Sequence, residues 1–211
     1  MANVQAAFGT IKGKIGNLRF SDWNGVNSVA QQPASYTDAK TVVQVKNRST
    51  FKELALLGRQ IIGVLRIGFS QYTSKTSPWA QFMKTNAGLF HVNNQGKTEL
   101  TNAYKFMVAQ GALPSAVGAG SSEYGVGKTS IIWDDNSASF GASPTDKAVV
   151  VAVFEEDATA FSVVTNAKRS DGTVIVTFPV PSNGQPAKMY LFFVSATDAK
   201  LTSDSVLAVQ G

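Results

Sequence analysis

The chain has 211 residues, 44 % of them apolar, with 19 Lys and Arg against 14 Asp and Glu and no cysteine. That is enough apolar material for a packed core, and the lack of cysteine excludes a disulfide framework, a thiolate metal site and a thiol nucleophile. No window approaches the roughly 18 consecutive apolar residues of a membrane-spanning helix, and "MANVQAAFGTIKGK" lacks the layout of a secretory signal.

The expected location is therefore the cytoplasm, or a virion if the protein is carried by a particle assembled in the cell. Charge is uneven. Residues 1–107 hold 13 basic and 4 acidic residues, and the remainder hold 6 and 10. Such polarity points to a nucleic-acid face on the first half or to charge-matched, head-to-tail contact between copies.

In chain order, the first feature is "GTIKGKIGNLRFSDWNGVNSVAQQP", Gly9 to Pro33. One extended run, Thr10 to Phe20, is interrupted by Gly13 and Gly16. A second, Val26 to Gln31, follows the Asn-Gly of "DWNG", and that pair favours a tight hairpin turn. A two-stranded ribbon of this kind is marginal alone in water. It needs its own domain, a neighbouring subunit or a nucleic acid to lie on.

From Thr37 to about Phe69 the apolar period becomes helical, with Thr37 and Asp38 as expected caps. Val43, Phe51, Leu54, Leu57, Ile61, Val64 and Leu65 share one face, and Arg48, Lys52, Arg59 and Arg66 cluster within about 40° on the other. Gly58 and Gly63 mark an expected break. A shorter helix is expected over Pro78 to Leu89, with Ser77 as its cap. Beyond "HVNNQGKTE", strands are expected near 102–110, 129–134, 147–154, 160–167, 173–179, 187–195 and 201–209. The segment "PSAVGAGSSEYGVG" reads as a flexible loop.

The expected class is α+β. Residues 1–100 form a basic ribbon-and-helix region with two to three helices, and residues 101–211 an antiparallel sandwich. Trp133 in an early strand and the alternation of Tyr190, Phe192, Val194 and Ala196 in "MYLFFVSA" resemble a fibronectin type III or immunoglobulin-like module.

Catalytic signals are weak. "GVGKTS" lacks the first glycine of a P-loop, because Ser122 stands there, and a strand rather than a helix should follow it. His91 has no cysteine and no sequence neighbour that would complete a triad or a metal pair. "WDDN" and "EED" fall at strand ends, where acids solvate turns. No enzyme activity, cofactor, metal, membrane contact or small-molecule substrate is expected. The binding residues expected are Lys12, Lys14, Arg19, Arg48, Lys52, Arg59 and Arg66 for charge, and Phe20 and Trp23, with Tyr36, for stacking or docking.

"GKIGNLRFSDWNGVNSVAQQP", "TDAKTVVQVKNRSTF", "IGF", "AQGALP" and the late "RSDG…LFFVS…SDSV" together resemble an uncharacterised family found in Bacteroidota and their phages, including crAss-like ones. Members of that family usually carry a basic residue after the Asn-Gly turn, where this chain has Ser28 to Gln31. The resemblance implies a phage-linked setting and no site residues. Two functions are thus expected. The first is a non-enzymatic structural or assembly protein that docks through its N-terminal ribbon on another copy or another structural protein. The alternative is sequence-nonspecific binding of DNA or RNA by the basic half.

Overall fold

The computed structural model describes residues 2–3, 12–23, 25–33, 35, 37–72, 76–93, 98–123, 127–154, 159–179 and 187–210. The chain separates into two compact units, residues 1–41 and 42–211.

The first unit is a four-stranded antiparallel sheet of β1 (Ala2–Asn3), β2 (Gly13–Ile15), β3 (Leu18–Trp23) and β4 (Val26–Gln31), in the order β1-β4-β3-β2. The run Thr10 to Phe20 is therefore not one strand. Gly16, at φ 57°, lets the chain reverse between β2 and β3, and Gly25, at φ 77°, does the same before β4. Among the described residues of this unit, no apolar side chain is buried.

The second unit opens with α1 (Val42–Gln60) and α2 (Ile62–Gly68), followed by α3 (Pro78–Asn86). Thr37 and Asp38 are not caps, because the helix starts only at Val42. The Asp38 carboxylate instead accepts the Lys40 amide at 3.3 Å, and Lys40 takes φ 45°. The expected break falls at Ile61, whose carbonyl accepts the amides of both Val64 and Leu65 at 3.0 Å. Gly58 does not break the helix but makes room beside it. A Cβ there would lie 2.6 Å from the Phe82 ring, so glycine lets α3 press on α1. Ser77 caps α3 as expected, accepting the Ala80 amide at 3.1 Å with proline in the first turn.

A small hairpin, β5 (Phe90–Val92) with β6 (Thr98–Leu100), precedes the large sheet. That sheet comprises β7 (Val117–Glu123), β8 (Lys128–Asp134), β9 (Lys147–Phe154), β10 (Thr159–Lys168), β11 (Thr173–Thr177), β12 (Lys188–Val194) and β13 (Val206–Gln210). Its order is β10-β9-β12-β13-β7-β8-β11, antiparallel throughout except for the parallel β13–β7 pair. The two edges, β10 and β11, come near one another, so the sheet curls towards a barrel.

Two expectations fail at its start. Residues 102–110 are not a strand, since Ala103–Lys105 is a 3-10 turn, and the first strand of the sheet lies inside the supposed flexible loop. Small residues there are demanded by close approach. Gly118 sits at φ 61° in a bulge of β7, with the Asp134 carboxylate where its Cβ would be, and a Cβ on Gly120 would stand 3.2 Å from Ile132.

Strands β9 and β12 are buried on both faces, which is why they read as unbroken apolar runs. Towards the helices, Val149, Val151, Val153, Tyr190 and Phe192 pack with Leu54, Leu57, Leu65, Phe69 and Phe82. Towards the inside of the curl, Val150, Ala152, Leu191 and Phe193 pack with Ile131, Trp133 and Val176. The helices thus share a core with the strands, whereas the sequence reading groups them with the ribbon in residues 1–100.

Candidate docking site

Strand pairing sorts the ribbon residues onto two faces. The direct partners are Lys14 with Arg19, Ser21 with Ser28, and Trp23 with Val26, and Arg19 also faces Ala30. These residues form one face. The other carries Ile15 with Leu18, Phe20 with Val29, and Asp22 with Asn27.

The first face has a cationic end, a polar middle and an apolar end. Lys14 and Arg19 are exposed and stand directly opposite one another. Like charges in that position repel, and none of the face's strand pairs contributes a carboxylate to relieve them. In the middle the Ser21 and Ser28 hydroxyls share a 2.8 Å hydrogen bond. At the far end Trp23 is 67 % and Val26 53 % exposed. An aromatic ring and a valine are thus paired in water, on a sheet in which no apolar side chain is buried among the described residues.

On the second face, Ile15 is 67 % and Leu18 43 % exposed. Lys12 pairs there with Asp22 at 3.3 Å. Lys12, Lys14, Arg19, Phe20, Asp22 and Gln32 line an open cavity of about 450 Å3 on the ribbon.

The structure therefore brings Lys12, Lys14, Arg19 and Phe20 around one cavity, although Phe20 faces away from Lys14 and Arg19. Trp23 stands at the opposite end of β3. The cationic helix stripe is shorter than expected. Arg48, Lys52 and Arg59 are exposed on one side of α1, but Arg66 belongs to α2, past the break at Ile61. Tyr36 and Asn24 lie outside the described residues.

Other candidate chemistry takes structural forms. Lys128 opens strand β8, so no helix N-terminus follows "GVGKTS" to hold a phosphate; Gly125 and Val126 lie outside the described residues. His91 is exposed, with its Nδ1 3.2 Å from the Thr101 hydroxyl, and its cross-strand partner is Glu99, an acid 8 positions away that sequence proximity did not reveal. Asp134 ends β8. Asp135 folds back on its own turn, accepting the Ser137 amide at 2.9 Å. That bond and one from the Ser137 side chain hold the Asp135 carboxyl below its ordinary range. Residues 155–157 lie outside the described set. Among the described residues, no group of three or more His, Asp or Glu is placed to hold a metal, and no helix is long and apolar enough to cross a membrane.

Sequence reasoning named Lys14 and Arg19 as separate cations. Their pairing across two strands is set by the reversal at Gly16-Asn17, and a count back from that turn would have revealed it. Val26 was missed because a lone valine beside a turn carries no signal without its partner Trp23.

Neither the comparison with curated proteins nor that with solved structures finds a match. A family model of unknown function, DUF6266, covers residues 10–208, from the ribbon to the last strand, and the chain belongs to that family.

Proposed function

We propose that the protein is a non-enzymatic structural or assembly component that docks on a protein partner through its N-terminal ribbon. The observation that carries this is the ribbon's lack of a core: four strands with no buried apolar residue among those described, and Trp23, Val26, Ile15 and Leu18 in water. A sheet of that size gains its stability from something laid against it. The larger unit is read as an immunoglobulin- or fibronectin-III-like module that provides the stable body. Its seven strands form one curled sheet with an apolar interior, which supports this reading. Trp133 is buried in β8, and Tyr190, early in β12, donates its hydroxyl to the Ala103 carbonyl at 3.0 Å. The resemblance to phage-associated sequences makes a particle component, carried in a virion or assembled in the cytoplasm, the natural setting.

A second reading rests on the Lys14–Arg19 pair and Trp23. Cations and an exposed ring on one face also suit a nucleic-acid backbone with a stacked base. Fluorescence anisotropy of labelled single- and double-stranded oligonucleotides separates the two. The docking reading predicts no binding at about 50 mM salt. Tight binding that falls about 10³–10⁵-fold by about 200 mM would instead establish the nucleic-acid reading.

A further inference from the structure

The large sheet has one outer face, and the helices cover only half of it. Tyr190 faces the helices and pairs with Leu207, two residues before Val209 on the same side of β13. Val209 pairs with Gly120, Gly120 with Ile132, and Ile132 with Thr173. The next outward row is Ser122, Ser130 and Ile175. This half of the face leaves Val209, Ile132 and Ile175 each about half exposed, at 51, 52 and 50 %. Its charges lie at the ends: Asp134 beside Val117 at one, Lys128 beside Thr177 at the other. Gly118, in the bulge of β7, leaves the space that the Asp134 carboxylate occupies.

The ribbon's cationic face matches this surface in length and sign. From Arg19 to Trp23 is four residues, and from Asp134 to Ser130, the partner of Ile175, is also four. Both spans are about 13 Å at 3.3 Å per residue. Resting on the docking reading above, we infer that the ribbon's partner is a second copy of this chain. Lys14 and Arg19 of one copy lie over Asp134 and Asp135 of the next, and Trp23 and Val26 cover Ile132, Ile175 and Val209. The reverse orientation sets Lys14 and Arg19 against Lys128, so charge fixes the direction. Each chain carries one of each surface. The contact is therefore heterologous and propagates into a ring or an open filament.

Two variants of the full chain test this by sedimentation velocity and light scattering. K14E/R19E disables the ribbon, and D134K/D135K disables the face; all four positions are exposed, so both variants should fold. The wild type is expected to associate beyond a dimer as concentration rises. Each variant alone should self-associate at least about tenfold more weakly. Their equimolar mixture should recover assembly beyond a dimer with the two variants alternating, because the native ribbon meets the native face and the reversed ribbon meets the reversed face. The fourfold variant, with charges exchanged, should recover assembly. A monomeric wild type, or a mixture that stays monomeric, overturns the inference. Loss with K14E/R19E but not with D134K/D135K overturns the face while leaving ribbon docking intact. Association unchanged in both variants overturns ribbon docking itself.

Discussion

Arg169 is the residue on which the curled sheet turns. It is fully buried, and its guanidinium donates from Nε to Asp146 at 3.1 Å, from one terminal nitrogen to the Asn136 side chain at 2.7 Å, and from the other to the Pro114 carbonyl at 3.0 Å. It also lies 3.9 Å from the centre of the Phe193 ring, while its own carbonyl accepts the Trp133 indole N–H at 2.7 Å. Burial pulls the Arg169 pKa down, and Asp146 beside it opposes that. Three connections, ahead of β7, β9 and β11, are thus tied to one side chain. Replacing Arg169 with Met leaves Asp146 as a buried, unpaired charge, which should cost about 3–5 kcal/mol in urea unfolding; a loss below about 1 kcal/mol would show the network to be dispensable. Ser77→Ala should cost about 1 kcal/mol through the lost cap of α3. Asp135 belongs to the same scale. Its folded-state pKa lies below the unfolded one, so its contribution is present above the ordinary carboxylate range and lost as pH falls through the folded value. Asp135→Asn should flatten the acid limb of the stability profile by lowering the neutral plateau slightly, and leave stability at low pH unchanged. Of these residues the sequence marked Ser77 as a cap, Asp135 as a turn acid and Trp133 as a core ring, because each carries a local signal. Arg169 gave none, since its three partners lie 23, 33 and 55 positions away.

At the scale of elements, local chemistry settled most of the outcome. The strand β9 was read at its observed bounds, and α3 began where Ser77 and Pro78 placed it. Misreadings arose where tertiary contact overrode composition. The strand β7 is spelled in Gly, Ala and Ser, residues that signal a loop, because the side chains of β8 occupy the space above it. Val43 and Phe51 fit the apolar period of α1 yet stand 67 and 49 % exposed, whereas Leu54 and Leu57 are buried. The period records which side of a helix is apolar and not how far along it the core extends. Leu54→Ala should therefore cost about 2–5 kcal/mol and Val43→Ala under about 0.5 kcal/mol, and equal losses would contradict the assigned core.

Across the whole molecule the division of labour follows from where the apolar residues are buried. Among the described residues both cores draw only on Leu54 and positions after it, so a chain starting at Val42 should unfold cooperatively with stability close to that of the full chain. The ribbon, among the described residues, contributes no side chain to either core. Its two-strand signal in "DWNG" was legible, whereas the flanking strands β1 and β2, of two and three residues, are too short to leave a period. The proposed ribbon docking can be argued from the sequence alone, whereas the proposed pairing with the half-sheet cannot, because the rows joining Val209, Ile132 and Ile175 exist only once β13 lies beside β7. The most direct test of the account is amide hydrogen exchange of residues 18–31 in the full chain, read from dilute to concentrated protein. Residues 18–31 should exchange fast when dilute and gain protection with concentration, while β9 and β12 stay protected throughout. Protection of residues 18–31 that is already complete in dilute solution would contradict the account.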